Sequence, residues 1–239
     1  MEAIKLGVNI DHAATLRQAR GVDYPNLPEI ARLVEGAGAH GITIHLREDR
    51  RHIQDADVYT LRKTLTTRMN LEMANNPDVL KVALEVVPDE VCLVPERRQE
   101  LTTEGGLDAA GQLDALRPTV QALAAQGTHV SLFIAPDRRQ LEAAAALAVP
   151  YVELHTGAYA NATGDERKRE LDALYDAAAY GATLGLKVNA GHGLTMENVK
   201  PLLMIPNLDT LNIGHSIIAH ALFVGVAQAT RDMLAAIAR

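Results

Sequence analysis

The sequence has a single cysteine, Cys92, and it lacks an excess of positive charge, a long apolar run and a secretory signal. One cysteine excludes an internal disulfide and a cysteine-rich metal site. The formal net charge of −7 argues against a dedicated nucleic-acid-binding protein. Residues 216–229, the most apolar late stretch, are interrupted by His220 and too few to cross a bilayer. The start MEAIKLGVNIDH becomes charged too early for a signal peptide, so we expect a cytoplasmic protein with no membrane contact.

The sequence does have enough apolar residues for one large core. Of its 239 residues, 48% are hydrophobic and 22% are charged, which excludes a disordered chain. No linker or change of composition divides the chain, so we predict one domain spanning residues 1–239. Short β-branched runs alternate with helical stretches at intervals of about 30 residues, the size of a βα unit.

Eight such units predict a closed (β/α)8 TIM barrel with extra short helices, and an open doubly wound sheet is the alternative. One helix is predicted to follow the charged residues 165–168. Another, around residues 113–123, should kink or restart at Pro118. The predicted strands lie at residues 4–9, 41–46, 67–72, 90–94, 129–134, 151–155, 186–190 and 210–214.

Most predicted strands alternate between polar and apolar residues. In the second strand, for example, Thr43 and His45 alternate with Ile42 and Ile44. Successive side chains of a strand point to opposite faces, and the apolar face must pack on the helices. We therefore expect the polar face to line the barrel interior. The fourth strand, VCLV, does not follow this pattern, and Cys92 is interpreted as a small core residue.

Polar residues concentrate at the carboxyl ends of the strands, where barrel active sites lie. His45 and Glu72 end the second and third strands, and His192 follows the seventh strand between two glycines. Gly214 and His215 follow the eighth strand, where a helix N-terminus commonly binds phosphate. Structural roles remain possible for some of these residues. They include a salt bridge between Glu72 and Arg68, a helix N-cap at Asp11, and a buried pair of Glu153 with Lys187.

The chain resembles the pyridoxine 5′-phosphate synthase family, enzymes that close the pyridine ring in one route to vitamin B6. The matching segments follow the family's order along almost the whole chain. They are GVNIDHAATLRQARG (7–21), GITIHLREDRRHI (41–53), MNLEMA (69–74), CLVPERRQELTTEGGLD (92–108), SLFI (131–134), ELHTGAYA (153–160), LKVNAGHGLT (186–195) and LNIGHSII (211–218).

The resemblance implies a condensation that needs no cofactor and no metal, within a (β/α)8 barrel. The substrates would be 1-deoxy-D-xylulose 5-phosphate and 3-amino-2-oxopropyl phosphate. The products would be pyridoxine 5′-phosphate, inorganic phosphate and water. Each step moves protons at carbon or oxygen, so several acid–base groups must surround one pocket. The resemblance also suggests an octamer built from dimers.

The same resemblance implies a role for each matching site residue. His45 and Glu72 would accept protons, and His192 would donate one. Asn9 and Arg20 would bind the amino-ketone phosphate. The residues that would bind deoxyxylulose phosphate are Asp11, His12, Arg47, His52 and Thr102. Gly193 would touch substrate, and Gly214 and His215 belong to the phosphate site. The polar segment 95–106 is interpreted as a lid over the substrates.

Three other functions remain as alternatives. An aldolase would form a Schiff base on Lys187, an inward lysine of the seventh strand. A phosphosugar-binding barrel without catalysis would need only the phosphate loops. A metal-dependent hydrolase is disfavoured, because the histidines are scattered and form no HxH pair on the first strand.

Overall fold

The computed structural model describes residues 3–96 and 105–238, and its strands form a single closed barrel. Eight parallel strands are hydrogen-bonded in chain order, and the first pairs with the last. The strands are β1 (Lys5–Asn9), β2 (Gly41–His45), β3 (Arg68–Met73), β4 (Glu90–Leu93), β5 (His129–Ile134), β6 (Tyr151–His155), β7 (Lys187–Gly191) and β8 (Leu208–Ile213).

Helices connect the strands around the outside of the barrel. They are α1 (Asp11–Gln18), α2 (Leu27–Gly36), α3 (Asp55–Thr64), α4 (Pro77–Val86), α5 (Leu113–Ala125), α6 (Arg138–Ala146), α7 (Gly157–Asn161), α8 (Gly164–Thr183), α9 (His215–Val224) and α10 (Val226–Ile237). A 3-10 helix (Lys200–Met204) lies between β7 and β8. The short α7 and this 3-10 helix are the extra short helices that the sequence predicts.

Local capping explains where several helices begin. Asn26 accepts a hydrogen bond from the backbone N–H of Glu29 at the start of α2, and a proline occupies the first turn. Asn76 and Pro77 repeat this arrangement at α4, and Asp137 caps α6. These side chains satisfy N–H groups that have no partner within the helix, and proline costs nothing at the first position.

The structure confirms the predicted barrel, and every predicted strand lies within two residues of an observed one. The helix predicted after residues 165–168 is confirmed as α8. Of the kink or restart expected at Pro118, the restart is wrong, because α5 runs through this residue, and the kink stays a prediction. Proline removes one hydrogen bond there, and the buried face of α5, with Leu116, Val120 and Leu123, keeps the helix packed.

No helix in the described ranges is long and apolar enough to cross a membrane.

The apolar face of the strands packs under the helices. Leu6, Ile42, Leu71 and Leu154 are fully buried there, as is Leu61 from the helical layer. Burying a side chain of this size stabilises the fold by about 1.5–3 kcal/mol. The main apolar core therefore lies between sheet and helices, which leaves the inside of the barrel to the other face of each strand.

That other face is polar and forms a hydrogen-bonded network across the interior, as the alternation predicts. Asn212 donates from Nδ2 to Glu153 Oε2 at 2.6 Å. Thr43 donates to Asn212 Oδ1 at 3.3 Å, and Asn70 donates to the Thr43 hydroxyl at 3.4 Å. Buried polar groups cost free energy unless they are paired, so this network makes a polar interior tolerable.

Two pairings suggested by the sequence differ in the structure. Lys187 is exposed at the amino end of β7, with its ammonium 5.6 Å from the centre of the Tyr151 ring, and Glu153 bonds Asn212 instead. Arg68 pairs with Glu90 at 2.6 Å, not with Glu72. These contacts follow from register, because each strand's amino-terminal polar residue meets partners at the amino end of the barrel.

Cys92 of the fourth strand is a buried core residue, as the sequence predicts, but the strand does follow the alternation. Cys92 Sγ lies 4.0 Å from Glu153 Oε2 and 3.9 Å from the Ser131 hydroxyl, so its side chain faces the interior. It belongs with Val94 and Phe133 to a small apolar cluster separate from the main core. VCLV therefore keeps the alternation, with cysteine as the interior residue.

Glu153 makes stability depend on pH. Burial, followed by the charge of Glu72, raises the pKa of Glu153 from 4.5 to about 8. Between pH 5 and 8 the folded protein thus keeps a proton that the unfolded chain has released, and stability falls as pH rises. Glu153→Gln removes this titrating group. We therefore expect the free energy of unfolding of the variant, measured by urea denaturation, to fall less steeply with pH, by up to about 1.4 kcal/mol per pH unit.

Glu35→Gln is the matched control for this measurement. Burial raises the pKa of Glu35, but hydrogen bonds from Thr66 and Thr67 outweigh this effect and lower it. Above pH 5 the Glu35 carboxylate is therefore ionised in both the folded and the unfolded protein. Its slope should equal that of the wild type between pH 5 and 8. An unchanged slope in Glu153→Gln would contradict the raised pKa of Glu153.

Candidate active site

The carboxyl ends of parallel strands meet at one mouth of the barrel, and strand register brings two predicted acid–base residues side by side there. His45, the last residue of β2, is directly opposite Glu72 of β3. His45 Nδ1 lies 3.8 Å from Glu72 Oε2. The other carboxylate oxygen of Glu72 accepts a hydrogen bond from Asn9 Nδ2 at 3.0 Å. Asn9 thus holds one oxygen of the Glu72 carboxylate, while the other oxygen of Glu72 faces the imidazole of His45.

Asp11 ties the start of α1 to β2. Its Oδ1 accepts the backbone N–H of His45 at 2.8 Å and lies 3.9 Å from His52 Nδ1. The side chain therefore bonds β2 and does not cap its own helix, whose N-cap is Ile10. Burial, with the charge of Glu72, raises the pKa of Asp11 to about 7. Asp11 can accordingly exchange a proton near neutral pH.

His52 is a neutral imidazole at physiological pH. Burial, with the charges of His45 and Arg47, lowers its pKa to about 3. The backbone N–H of Ile53 donates to His52 Nδ1 at 2.9 Å, so the ring proton is on Nε2. His52 can donate one hydrogen bond into the mouth, but it brings no positive charge to a phosphate.

An ion pair fixes the loop that carries His52. Arg17 of α1 binds both carboxylate oxygens of Asp57 at 2.7 and 2.6 Å, and donates to the carbonyl of His52 at 3.1 Å. Asp57 also accepts the backbone N–H of Gln54 at 2.8 Å. Bidentate pairs of this kind fix geometry as well as contributing energy.

We expect Asp57→Asn to lower the free energy of unfolding by about 1–3 kcal/mol, because the neutral amide loses the charge-assisted fork with Arg17. Asp55→Asn is the control, since it removes the same charge from the first turn of α3. The Asp55 side chain is 48% exposed and pairs only with Arg50 among its described contacts. Its loss should cost less than about 1 kcal/mol. Equal thermal unfolding of the two variants would contradict the role of the fork.

Arg47 supplies positive charge beside these groups. Its side chain is only 3% exposed, and its Nε lies 3.3 Å from Asp49 Oδ1. Hydrogen bonds from Arg51 and Arg47 outweigh the effect of burial and hold the pKa of Asp49 well below its usual value. The loop after β2 therefore carries a buried guanidinium whose position is set by a carboxylate.

A second group of aromatic rings lies at the ends of β5, β6 and β7. The rings of His155 and His192 are 4.9 Å apart, and Phe133 lies 5.2 Å from His155 and 6.5 Å from His192. Burial, with the charge of His192, lowers the pKa of His155 to about 4. His155 is therefore a neutral neighbour of His192 at physiological pH.

The turn that carries His192 is strained and firmly held. His192 has a φ of +86°, which is uncommon for a residue with a side chain. The Thr156 hydroxyl lies 2.7 Å from the carbonyl of Gly191 and 2.6 Å from that of His192, within reach to donate to either. Strained backbone of this kind persists where the surroundings impose it, and it occurs frequently at functional sites.

The start of α9 completes the mouth. Gly214 packs so closely on β1 that an added Cβ would lie 2.6 Å from the Cβ of Asn9. The rings of His215 and His12 are 5.0 Å apart, and burial followed by the charge of His215 lowers the pKa of His12. The first N–H groups of a helix have no partner within it, so this end of α9 can bind an anion.

The structure thus brings most of the predicted site residues to one mouth, and two are not joined to them. Arg20 is exposed and lies two residues beyond the end of α1. Thr102 and most of the predicted lid, residues 95–106, lie outside the described residues. Within residues 3–96 and 105–238, no group of three or more His, Cys, Asp or Glu side chains is arranged to hold a metal ion.

Sequence reasoning assigned no individual role to two residues of this mouth, and it placed one of them, Glu96, only within the segment 95–106 interpreted as a lid. His155 was identified as inward-facing by the alternation of β6, and only its contact with His192 marks it as a neighbour of the site. Glu96 follows β4 and hydrogen-bonds His45 at 2.8 Å. No periodicity marks a loop residue, so its presence in a family segment was the one available signal.

The Lys187 aldolase is not supported by this geometry. Lys187 is exposed at the amino end of its strand, at the opposite end of the barrel from the acid–base groups. Its ammonium is not buried, so desolvation does not activate it as an amine nucleophile.

Known proteins share both the sequence and the fold. The family model of the pyridoxal phosphate biosynthesis protein PdxJ matches residues 6–239. Pyridoxine 5′-phosphate synthase of Coxiella burnetii (strain Dugway 5J108-111) is 56% identical over 236 residues, covering 98% of each chain. The enzyme of that name from Pseudoalteromonas translucida (strain TAC 125) is 56% identical over 234 residues, covering 98% of this chain and 96% of its own.

Solved structures with little sequence identity share the barrel. The structure of KGPDC from Streptococcus mutans matches with a TM-score of 0.66 at 12% identity, covering 99% of this chain and 98% of its own. Phosphoribosyl anthranilate isomerase from Thermus thermophilus matches with a TM-score of 0.62 at 16% identity, covering 98% of both chains. These likenesses concern the fold alone. From the family model and the relatives in sequence, the chain belongs to the PdxJ family of pyridoxal phosphate biosynthesis proteins.

Proposed function

We propose that this protein is a pyridoxine 5′-phosphate synthase. It condenses 1-deoxy-D-xylulose 5-phosphate with 3-amino-2-oxopropyl phosphate and forms pyridoxine 5′-phosphate, inorganic phosphate and water. Amine addition to a ketone, dehydration, phosphate elimination and aldol-type ring closure all require proton transfer at carbon or oxygen. The family and the relatives that bear this name support the proposal.

The observation that carries the proposal is the arrangement of Glu72 and His45. A carboxylate and an imidazole face each other at 3.8 Å, inside a barrel mouth. Each is mostly buried, with side chains 15% and 7% exposed. Two bases so close can serve successive proton transfers on one bound intermediate. A barrel that only binds phosphosugars does not need them.

The proposed roles follow the two sides of the mouth. Glu72 and His45 accept protons, and His192 donates one from the strained turn after β7. Asn9 orients Glu72 and contacts the amino-ketone phosphate. The other proposed substrate contacts are Asp11, His12, Arg20, Arg47, His52, Thr102, Gly193, Gly214 and His215.

Phosphate recognition is proposed to combine helix geometry with charge. The neutral state of His12 and His52 removes them as cations, although each still offers a hydrogen bond. The free N–H groups of α9 and the guanidinium of Arg47 then supply the electrostatic attraction for phosphate.

The remaining features of the proposal concern the protein as a whole. Residues 1–239 form one catalytic domain that acts in the cytoplasm, as an octamer built from dimers, without a cofactor or a metal. Proton transfers at carbon and oxygen are within the chemistry of the side chains present. Light scattering tests the octamer, and a monomer would refute it.

The decisive test is a product assay with both substrates and metal-free protein. Mass spectrometry should detect pyridoxine 5′-phosphate only when both substrates are present. Folded protein that binds either phosphate compound but yields no product would refute the synthase and favour a binding barrel. Omission of either substrate gives the matched blank.

A further inference from the structure

Glu96 makes the shortest side-chain contact of His45. Its Oε1 lies 2.8 Å from His45 Nε2, and its Oε2 accepts the backbone N–H of Glu48 at 3.0 Å. Only 2% of the Glu96 side chain is exposed. Both carboxylate oxygens are thus engaged, one by the imidazole and one by the loop after β2, so the carboxylate is fixed in place.

This contact decides which nitrogen of His45 carries the proton. Burial alone raises the pKa of Glu96, but the hydrogen bond with His45, the charge of His45 and the Glu48 N–H bring it below its usual value. An ionised carboxylate only accepts hydrogen bonds, so the proton lies on Nε2. The lone pair of the neutral ring is then on Nδ1, the atom that faces Glu72 at 3.8 Å.

Glu72 and Glu96 flank the same imidazole but differ in their contacts. Glu72 is too far from Nδ1 for a hydrogen bond, and Asn9 holds its other oxygen. Glu96 touches Nε2 directly and lies on the far side of the ring. Of these two carboxylates, Glu96 is therefore the one placed to orient His45, whereas Glu72 makes no hydrogen bond to Nδ1.

We infer that Glu96 is a positioning residue that fixes the ring of His45 and makes Nδ1 its proton-accepting atom. This inference rests on the proposed function. The substrate's C–H or O–H bond breaks, its proton joins the Nδ1 lone pair, and the electron pair stays on the substrate. The Glu96 carboxylate stabilises the imidazolium so formed, as an orienting carboxylate does in other histidine bases.

The first test measures the tautomer directly and needs no activity. In protein with 15N-labelled histidine, two-bond proton–nitrogen spectra should show His45 with its proton on Nε2, with His45→Asn identifying the signal. Glu96→Gln should move the ring toward a mixture of tautomers, because an amide also offers a donor. A proton on Nδ1 in the wild type overturns the inference outright.

The second test is the pH profile of kcat/KM. Loss of the carboxylate destabilises the imidazolium, so the acid limb of Glu96→Gln should move to lower pH by about one unit. We expect kcat to fall by about 10–100-fold with little change in KM, because orientation and not substrate contact is lost. Among the described residues, the titratable groups facing His45 are Asp11, His52, Glu72 and Glu96, and Arg47 adds a charge that acts on His52 and Glu96.

Two variants keep the test decisive. Glu48→Gln changes a neighbouring carboxylate and keeps the backbone N–H that bonds Glu96, so kcat and the acid limb should stay at wild-type values. Glu96→Asp keeps the charge and should recover part of the lost kcat. The inference is overturned if Glu96→Gln leaves both the acid limb of the kcat/KM profile and the His45 spectrum unchanged. Wild-type protein that shows the Nε2–H tautomer but makes no product refutes the proposed function alone.

Discussion

His45→Asn and Glu72→Gln are each expected to lower kcat/KM for pyridoxine 5′-phosphate formation by about 10²–10⁴-fold, the range for loss of a general base. Asparagine cannot take up a proton, and glutamine keeps the shape of glutamate and its acceptor for Asn9 without a basic oxygen. The folded structure should survive both changes, because neither residue belongs to the apolar core.

The matched controls lie at the other end of the barrel. Glu90 and His129 are also a carboxylate and an imidazole opposite each other on neighbouring strands, but at the amino ends. Glu90→Gln and His129→Asn should therefore keep kcat/KM within about threefold of the wild type, as is typical of changes remote from the reacting atoms. Product formation is followed by mass spectrometry at saturating and limiting substrate.

The double variant gives a further check. If the two bases serve one sequence of proton transfers, His45→Asn combined with Glu72→Gln should cost less than the product of the two single losses. Full activity in either single variant would refute its role as a base. Equal losses in the amino-end controls would show that any polar change in the barrel disrupts the fold.

Gly214→Ala is expected to destabilise the protein and to weaken phosphate binding. The added Cβ would lie 2.6 Å from the Cβ of Asn9 and 3.1 Å from its carbonyl oxygen. The carbonyl belongs to the backbone of β1 and cannot move away without disturbing the barrel. Overpacking of this kind costs about 1–3 kcal/mol, which denaturant unfolding will measure.

The same change should weaken binding of pyridoxine 5′-phosphate by about tenfold or more, or about 1.4 kcal/mol. Pushing β1 away from α9 moves Asn9, which holds Glu72, and the helix N-terminus proposed to bind phosphate. Gly36→Ala is the control, because nothing lies within 4 Å of its added Cβ. It should leave binding unchanged and stabilise the protein by up to about 1 kcal/mol. Identical stability and binding in the two variants would refute the close packing at Gly214.

Much of the fold is predictable because local patterns carry it. The alternation in β2, with Thr43 and His45 between apolar neighbours, marks both the strand and its inward face. The eight strands follow because each βα unit repeats the same signals at the same interval. Pro118 shows the limit of local rules, since packing of α5 overrides the expected restart.

The sequence predicts which residues belong to the candidate site better than it predicts which of them contact each other. His45, Glu72 and His192 stand at strand ends that the sequence identifies. That His45 meets Glu96 on one side and Glu72 on the other depends on the register of three strands. A loop residue such as Glu96 has no period by which the sequence can reveal it.

The sequence by itself determined the barrel, its polar interior and the acid–base residues at its carboxyl end. Residue alternation and spacing are local properties, and they survive without knowledge of the neighbours in space. Only the tertiary structure decided which side chains pair with each other and how burial changes their ionisation. It pairs Glu153 with Asn212 and leaves Lys187 exposed, and burial makes Asp11 titrate near neutral pH. Pairing and desolvation depend on residues distant in sequence, so they exist only once the barrel has closed.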